Sequence, residues 1–183
     1  SYYEQIDGET VCIDDDLPFE IPDSWRWTRI NCYTKIISAG GDKPSMVSPV
    51  KTESCSVPIF SNGLTNNGLY GYTNRAIIVE PSITISARGT IGYNCIRLIP
   101  YYPIVRLISI IPFNNFGNIK YLSYILKYLF PIGSGSSIPQ LTVPEVSPIL
   151  IPIPPIAEQN NIANKIENIF SYLDNLESII KGS

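Results

Sequence analysis

At 183 residues, with 44% hydrophobic and 16% charged side chains, the chain has room for one sizeable domain plus an extra element, and it is too apolar for a disordered tract. Its net charge of −3 is unevenly placed: residues 1–23 carry eight acids and no base, residues 24–154 eleven bases against four acids, and residues 155–183 two bases against four acids. There is no histidine, which removes Ser-His-Asp and Cys-His catalytic pairs and any zinc site that needs an imidazole.

Residues 1–22 are acidic, contain Pro18 and Pro22, and read as an N-terminal arm or linker. Ser1 stands where an initiator Met is expected, so the chain reads as a piece of a longer subunit. Glu4, Asp7 and Glu9 occupy the place of a signal peptide's apolar stretch. Trp25 and Trp27 alternate with polar residues and open a first strand. Residues 29–37 read as a short helix ended by Gly40-Gly41. Residues 40–75 are loop-rich, with a strand at Val57–Phe60 and turn signals at Asn62-Gly63 and Asn67-Gly68. Strands are expected at 76–79, 83–87, 93–98 and 105–110, with a tight loop at 88–92. The apolar run 99–113 is broken by Pro100, Pro103, Arg106 and Pro112 and is too short to span a membrane. Residues 119–130 show a helical apolar face and end at Pro131. A Gly/Ser loop at 133–137 and an extended piece at 149–153 follow.

Four cysteines, Cys12, Cys32, Cys55 and Cys95, match no C-x-x-C metal pattern. With no N-x-S/T site and no export signal, they read as free thiols of a cytoplasmic protein. No metal or cofactor is expected, since no phosphate-binding glycine pattern follows a strand.

The C-terminal segment is the most regular. Ile162, Ile166, Ile169, Leu173, Leu176 and Ile180 are spaced 4, 3, 4, 3 and 4, the a/d seam of a coiled coil. Pro155 suits the first helical turn, and Glu158 favours the positive end of the helix dipole. Either this helix docks on its own core, or it is a dimerisation or spacer helix that another helix must cover. The fold class expected is α+β: residues 23–154 form a body on a mixed, curved sheet with short helices, and residues 155–183 form a long coiled-coil-forming helix.

Four motifs in order carry a family resemblance. Ile21-Pro-Asp-Ser-Trp-Arg-Trp27 is similar to an I-P-x-x-W-x-W opening. Ser86-Ala-Arg-Gly-Thr-Ile-Gly92 is similar to an A-R-x-G-T-I-G turn, one residue shorter here. Ser134-Gly-Ser-Ser-Ile-Pro-Gln-Leu141 is similar to a G-S-x-x-x-x-x-L segment. Pro152-Ile-Pro-Pro-Ile-Ala-Glu-Gln159, followed by Asn161-Ile-Ala-Asn-Lys-Ile166, is similar to a P-L-P-P-L-A-E-Q run and the helix after it. Together, over about Ile21 to Ile180, the chain resembles one target recognition domain and one conserved helix of a type I restriction-modification specificity subunit. That resemblance implies a non-catalytic, sequence-specific reader of double-stranded DNA. Methylation and cleavage would belong to separate methyltransferase and restriction subunits. The helix would pair with that of a second half or a second copy, so a single chain reads half a site. The acidic lead-in suggests the second half.

The basic body fits phosphate attraction. Candidate DNA-binding residues are Lys43, Asn62, Asn66, Asn67, Tyr72, Arg75, Arg88, Gly89, Thr90, Ser134, Ser136 and Ser137. Asn amides match adenine edges and Arg guanine edges. Gly89 lets backbone approach a phosphate, with the Thr90 hydroxyl adding a donor. The plainer alternatives are turns for the Asn-Gly steps, a hairpin for Gly89 and Gly92, and a solvated side chain for Lys43. Tyr101-Tyr102 reads as buried rather than stacking on bases. The competing function is a β-rich, non-nucleic-acid module that binds protein or carbohydrate.

Overall fold

The computed structural model describes residues 1–113, 117–132 and 140–181. In chain order the elements are β1 (Tyr3–Ile6), β2 (Glu9–Cys12), β3 (Arg26–Arg29), the one-turn α1 (Ile30–Tyr33), β4 (Thr34–Ala39), β5 (Val57–Phe60), β6 (Leu69–Thr73), β7 (Ser82–Ile85), β8 (Asn94–Arg97), β9 (Tyr102–Pro103), β10 (Ile108–Pro112), α2 (Ile119–Leu129), the one-turn α3 (Val143–Val146), β11 (Leu150–Ile153) and α4 (Ile156–Lys181).

The main sheet runs β4-β10-β7-β8, antiparallel throughout. Its central strands β10 and β7 are buried at every position, as strands covered on both faces must be. Ile83, Ile85, Ile108 and Ile110 face one core, with Leu122 and Leu126 of α2, Leu141, Val146 and Ile151. Leu107 and Ile111 face the other way, onto Phe60, Ile78 and Tyr101. On that second face the buried Tyr101 hydroxyl meets the Ser82 and Ser109 hydroxyls at 2.9 and 3.0 Å. These bonds satisfy polar groups that burial would otherwise penalise. The three-stranded sheet β6-β5-β9 covers this side, and its β5–β9 pair is the parallel one. The mixed sheet expected from sequence is therefore split into layers: an antiparallel main sheet and a small mixed one.

The structure corrects several local expectations. Residues 29–37 are not a helix. The apolar spacing Ile30, Tyr33, Ile37 imitates a helical period, but only α1 is helical, and Thr34–Ala39 pairs with β10. The β-branched Thr34, Ile36 and Ile37 favour that extended chain. Residues 76–79 form only a single bridge, Ile78 to Tyr101. The strand placed at 105–110 begins at Ile108, because Val105 and Arg106 turn the chain with φ of 55° and 65°. Strand β6 was hidden in what reads as loop. The acidic arm holds the β1–β2 hairpin, and Glu4 pairs with Arg29, whose hydrogen bonds hold the Glu4 carboxyl below the usual carboxylate range.

The family motifs meet in pairs. Trp27 of β3 lies opposite Pro152 of β11, and Trp25 Nε1 donates to Glu158 Oε2 at 2.9 Å. The first motif therefore holds the last. Leu141 N donates to the Ala87 carbonyl at 2.9 Å, joining the second motif to the third. Gly92 has φ +88°, and a Cβ there would stand 2.2 Å from the Phe130 carbonyl oxygen, so no other residue fits.

Helix α4 docks through its residues up to Phe170. Gln159 and Ala163 are buried, and Ile162 and Ile166 half-buried. Glu167 bonds Lys120 of α2 at 2.7 Å, and the Phe170 ring stacks 6.4 Å from Tyr124. From Ile169 onward the seam is uncovered: Ile169 is 59% exposed and Ile180 76%. The four cysteines are free. Among the described residues no helix is long and apolar enough to cross a membrane.

Candidate functional site

Several loops distant in sequence converge on one surface. The turn at 104–106 seats on the glycine pair at 40–41, where Val105 N donates to the Gly41 carbonyl and Arg106 N to the Gly40 carbonyl, both at 2.9 Å. Asn62 ties that turn to the next loop. Its Nδ2 donates to the Val105 carbonyl at 2.7 Å, and its Oδ1 accepts from Ala87 N at 2.8 Å. Gly63 N adds a bond to Ser86 Oγ at 3.3 Å. The result is two surface hollows of about 440 and 340 Å³ that share Arg88 and Arg106. Lys43 and Asp42 line the first, and Gln140 and Thr142 the second.

Lys43 and Arg88 are held there by neutral groups. The Arg88 guanidinium donates to Gln140 Oε1, with Nε at 2.7 Å. Lys43 Nζ donates to the Tyr70 hydroxyl and lies 4.3 Å from the centre of its ring. Among the described residues, Lys43, Arg88 and Arg106 make no salt bridge. Lys35 pairs with Glu80, Lys120 with Glu167 and Arg29 with Glu4. Lys43, Arg88 and Arg106 are exposed, and among the described residues Asp42 is the one acid lining their hollows. Such a concave surface attracts a polyanion.

Not every candidate gathers here. Asn66 and Asn67 adopt φ of 48° and 53° in a 3-10 turn, as the Asn-Gly signal implies. Asn67 is committed elsewhere: its Oδ1 accepts from the Tyr93 hydroxyl at 2.6 Å and its carbonyl from Arg97 at 2.5 Å. Arg97 is buried beneath it, 3.6 Å from the Phe60 ring centre, with Nε donating to Thr84 Oγ1 at 3.0 Å. Burial pushes the Arg97 pKa down, and this cation is structural. Tyr72 is half-buried and bridges Ser48 through its backbone. Arg75 is exposed, 5.8 Å from the Tyr102 ring centre. Gly89 takes φ +71°, and the Thr90 Oγ1 is buried with no hydrogen-bond partner among the described residues. Tyr101 and Tyr102 are buried, as expected. Ser134, Ser136 and Ser137 lie outside the described residues. Sequence reasoning missed Arg106 and Gln140. Val105-Arg106 reads as ordinary strand, so nothing in the sequence marks its left-handed turn.

A larger hollow of about 730 Å³ lies beside β8, α2 and α4. Its cations are spoken for: Lys120 bonds Glu167, and Lys127 leans on Tyr124 at 5.4 Å.

Comparison with known proteins places these features in a family. The sequence model described as "Type I restriction modification DNA specificity domain" matches residues 35–182. Two Mycoplasma pneumoniae proteins assigned as type I specificity subunits are 33% identical over 157 residues and 34% over 148 residues. The first match covers 82% of this chain and 47% of the relative, the second 81% and 40%, so the chain spans less than half the length of either. The EcoAI specificity subunit of Escherichia coli is 22% identical, over 92% of this chain and 32% of its own. The solved HsdS subunit from Thermoanaerobacter tengcongensis superposes with a TM-score of 0.71 at 21% identity, covering 88% of this chain and 41% of that one. The type I system S subunit from M. genitalium gives 0.61 at 18%, covering 85% and 42%. The structural likenesses establish a shared fold.

Proposed function

The chain belongs to the type I restriction-modification DNA specificity domain family, and from that premise we propose that it reads one half of a split double-stranded DNA target. The observation that carries this is the convergence of Lys43 and Arg88, from loops far apart in sequence, on one concave surface where neither makes a salt bridge. Those cations take phosphates and fix register, and exposed loop groups such as Asn66 and Arg75 reach base edges.

The body is the recognition domain, and α4 is a spacer. Its exposed seam from Ile169 to Ile180 pairs, as a coiled coil, with the helix of a second half or a second copy. Pairing sets the distance between two recognition bodies. The chain supplies no chemistry of its own. It positions methyltransferase and restriction subunits on DNA in the cytoplasm, a reading that the relatives' names as type I specificity subunits support only as far as the restriction system.

Fluorescence anisotropy with duplex DNA at increasing salt tests the reading. Affinity should fall log-linearly with salt, and Lys43→Ala with Arg88→Ala should flatten the slope by about two, one per phosphate contact. Salt-indifferent binding, or an unchanged slope in the double variant, refutes it.

A further inference from the structure

We infer that Arg106 is a further phosphate-contacting residue of this surface and that Asn62 is its positioning residue, not a reader of bases. The inference rests on the DNA-reading proposal and deepens it.

Val105 and Arg106 are consecutive non-glycine residues in the left-handed region. A β-branched residue there is a true outlier, because its side chain crowds the backbone. The surroundings hold the turn in place. The Gly40 and Gly41 carbonyls accept its two amides, and Leu107 N closes it onto the Ile104 carbonyl at 3.1 Å. Gly40 permits that docking, since a Cβ there would lie 2.7 Å from the Pro103 carbonyl carbon. The turn presents two exposed side chains, Val105 and Arg106, and the charged one lines both hollows with Arg88 and one of them with Lys43.

Asn62 locks this arrangement. One amide group holds the Val105 carbonyl and the other the Ala87 amide, so the Arg106 turn and the Arg88 loop are fixed relative to one another. Bidentate reading of adenine needs both ends of the amide turned outward. Here both face the protein.

The test compares salt slopes on cognate and scrambled duplexes. Arg106→Asn keeps a residue that tolerates the left-handed turn and deletes the charge, so the slope should flatten by about one with melting temperature unchanged or raised. Arg106→Lys should restore the slope. Asn62→Ala should weaken binding equally on every sequence, and its effect should be smaller in the Arg106→Asn background than in the wild type, because one of the two loops it fixes carries Arg106. If Arg106→Asn leaves the wild-type slope intact, the inference fails while the DNA-reading proposal stands. If Asn62→Ala instead relaxes preference at one A·T pair, Asn62 is a base reader and its positioning role is wrong. If the wild-type chain shows no salt-dependent duplex binding, the proposal beneath fails too.

Discussion

Gln159 is where the rod joins the body, and its removal should be measurable as stability. The side chain is 1% exposed. Its Oε1 accepts from Asn118 N at 2.9 Å and from the Tyr33 hydroxyl at 3.2 Å, and its Nε2 donates to the Pro154 carbonyl at 2.9 Å. Asn118 is the N-cap of α2 and also donates to Asn160 Oδ1 at 2.8 Å, so one side chain links α1, α2 and the start of α4. Gln159→Met keeps the volume and deletes these bonds. Each net bond is worth about 1 kcal/mol, and an orphaned buried backbone group costs about 1–3 kcal/mol. The expected loss is roughly 3–4 kcal/mol, read by equilibrium urea unfolding, or a fall in melting temperature of about 6–16 °C for a domain of this size. Amide exchange should report lost protection at Asn118. A loss below about 1 kcal/mol would mean that the body does not hold the rod through this residue.

Other expectations follow from single sites. Gly92→Ala should destabilise by about 2–4 kcal/mol in thermal melts, because the left-handed φ and the Phe130 carbonyl both exclude a methyl group. Burial pushes the Tyr33 hydroxyl up to about 12, above its unfolded value near 10. The unfolded chain therefore releases this proton first: the contribution is complete below about pH 10 and lost as pH rises towards 12. Tyr33→Phe should flatten that alkaline limb of the stability profile; a limb of the same steepness contradicts the assignment.

Patterning made the strongly periodic elements legible. Val57–Phe60 and the apolar face of Ile119–Leu129 were readable because a strand or helix buried on one side writes its period into the sequence. Residues 29–37 were misread because Ile30, Tyr33 and Ile37 all face one core across a turn followed by a strand. Periodicity cannot distinguish that path from a helix. The site was half legible. Lys43, two residues after Gly41, and Arg88, beside Gly89, stand in glycine-containing loops, a visible mark of exposed cations. Their meeting with Arg106 depends on long-range bonds through Asn62 and Gly40, which local sequence does not encode. Asn62 looked like a reader for the same reason: an amide on a loop has the same sequence signal whether it faces DNA or the next loop.

The most direct measurement is selection of bound duplexes from a random pool, using the intact chain and a variant carrying Ile169→Asp, Leu173→Asp and Leu176→Asp on the uncovered seam. The intact chain should enrich two short blocks at a constant separation, and the variant a single block with weaker retention. Enrichment of nothing by either protein, or of two equally spaced blocks by the seam variant, would contradict a cationic reader whose spacing is set by its helix.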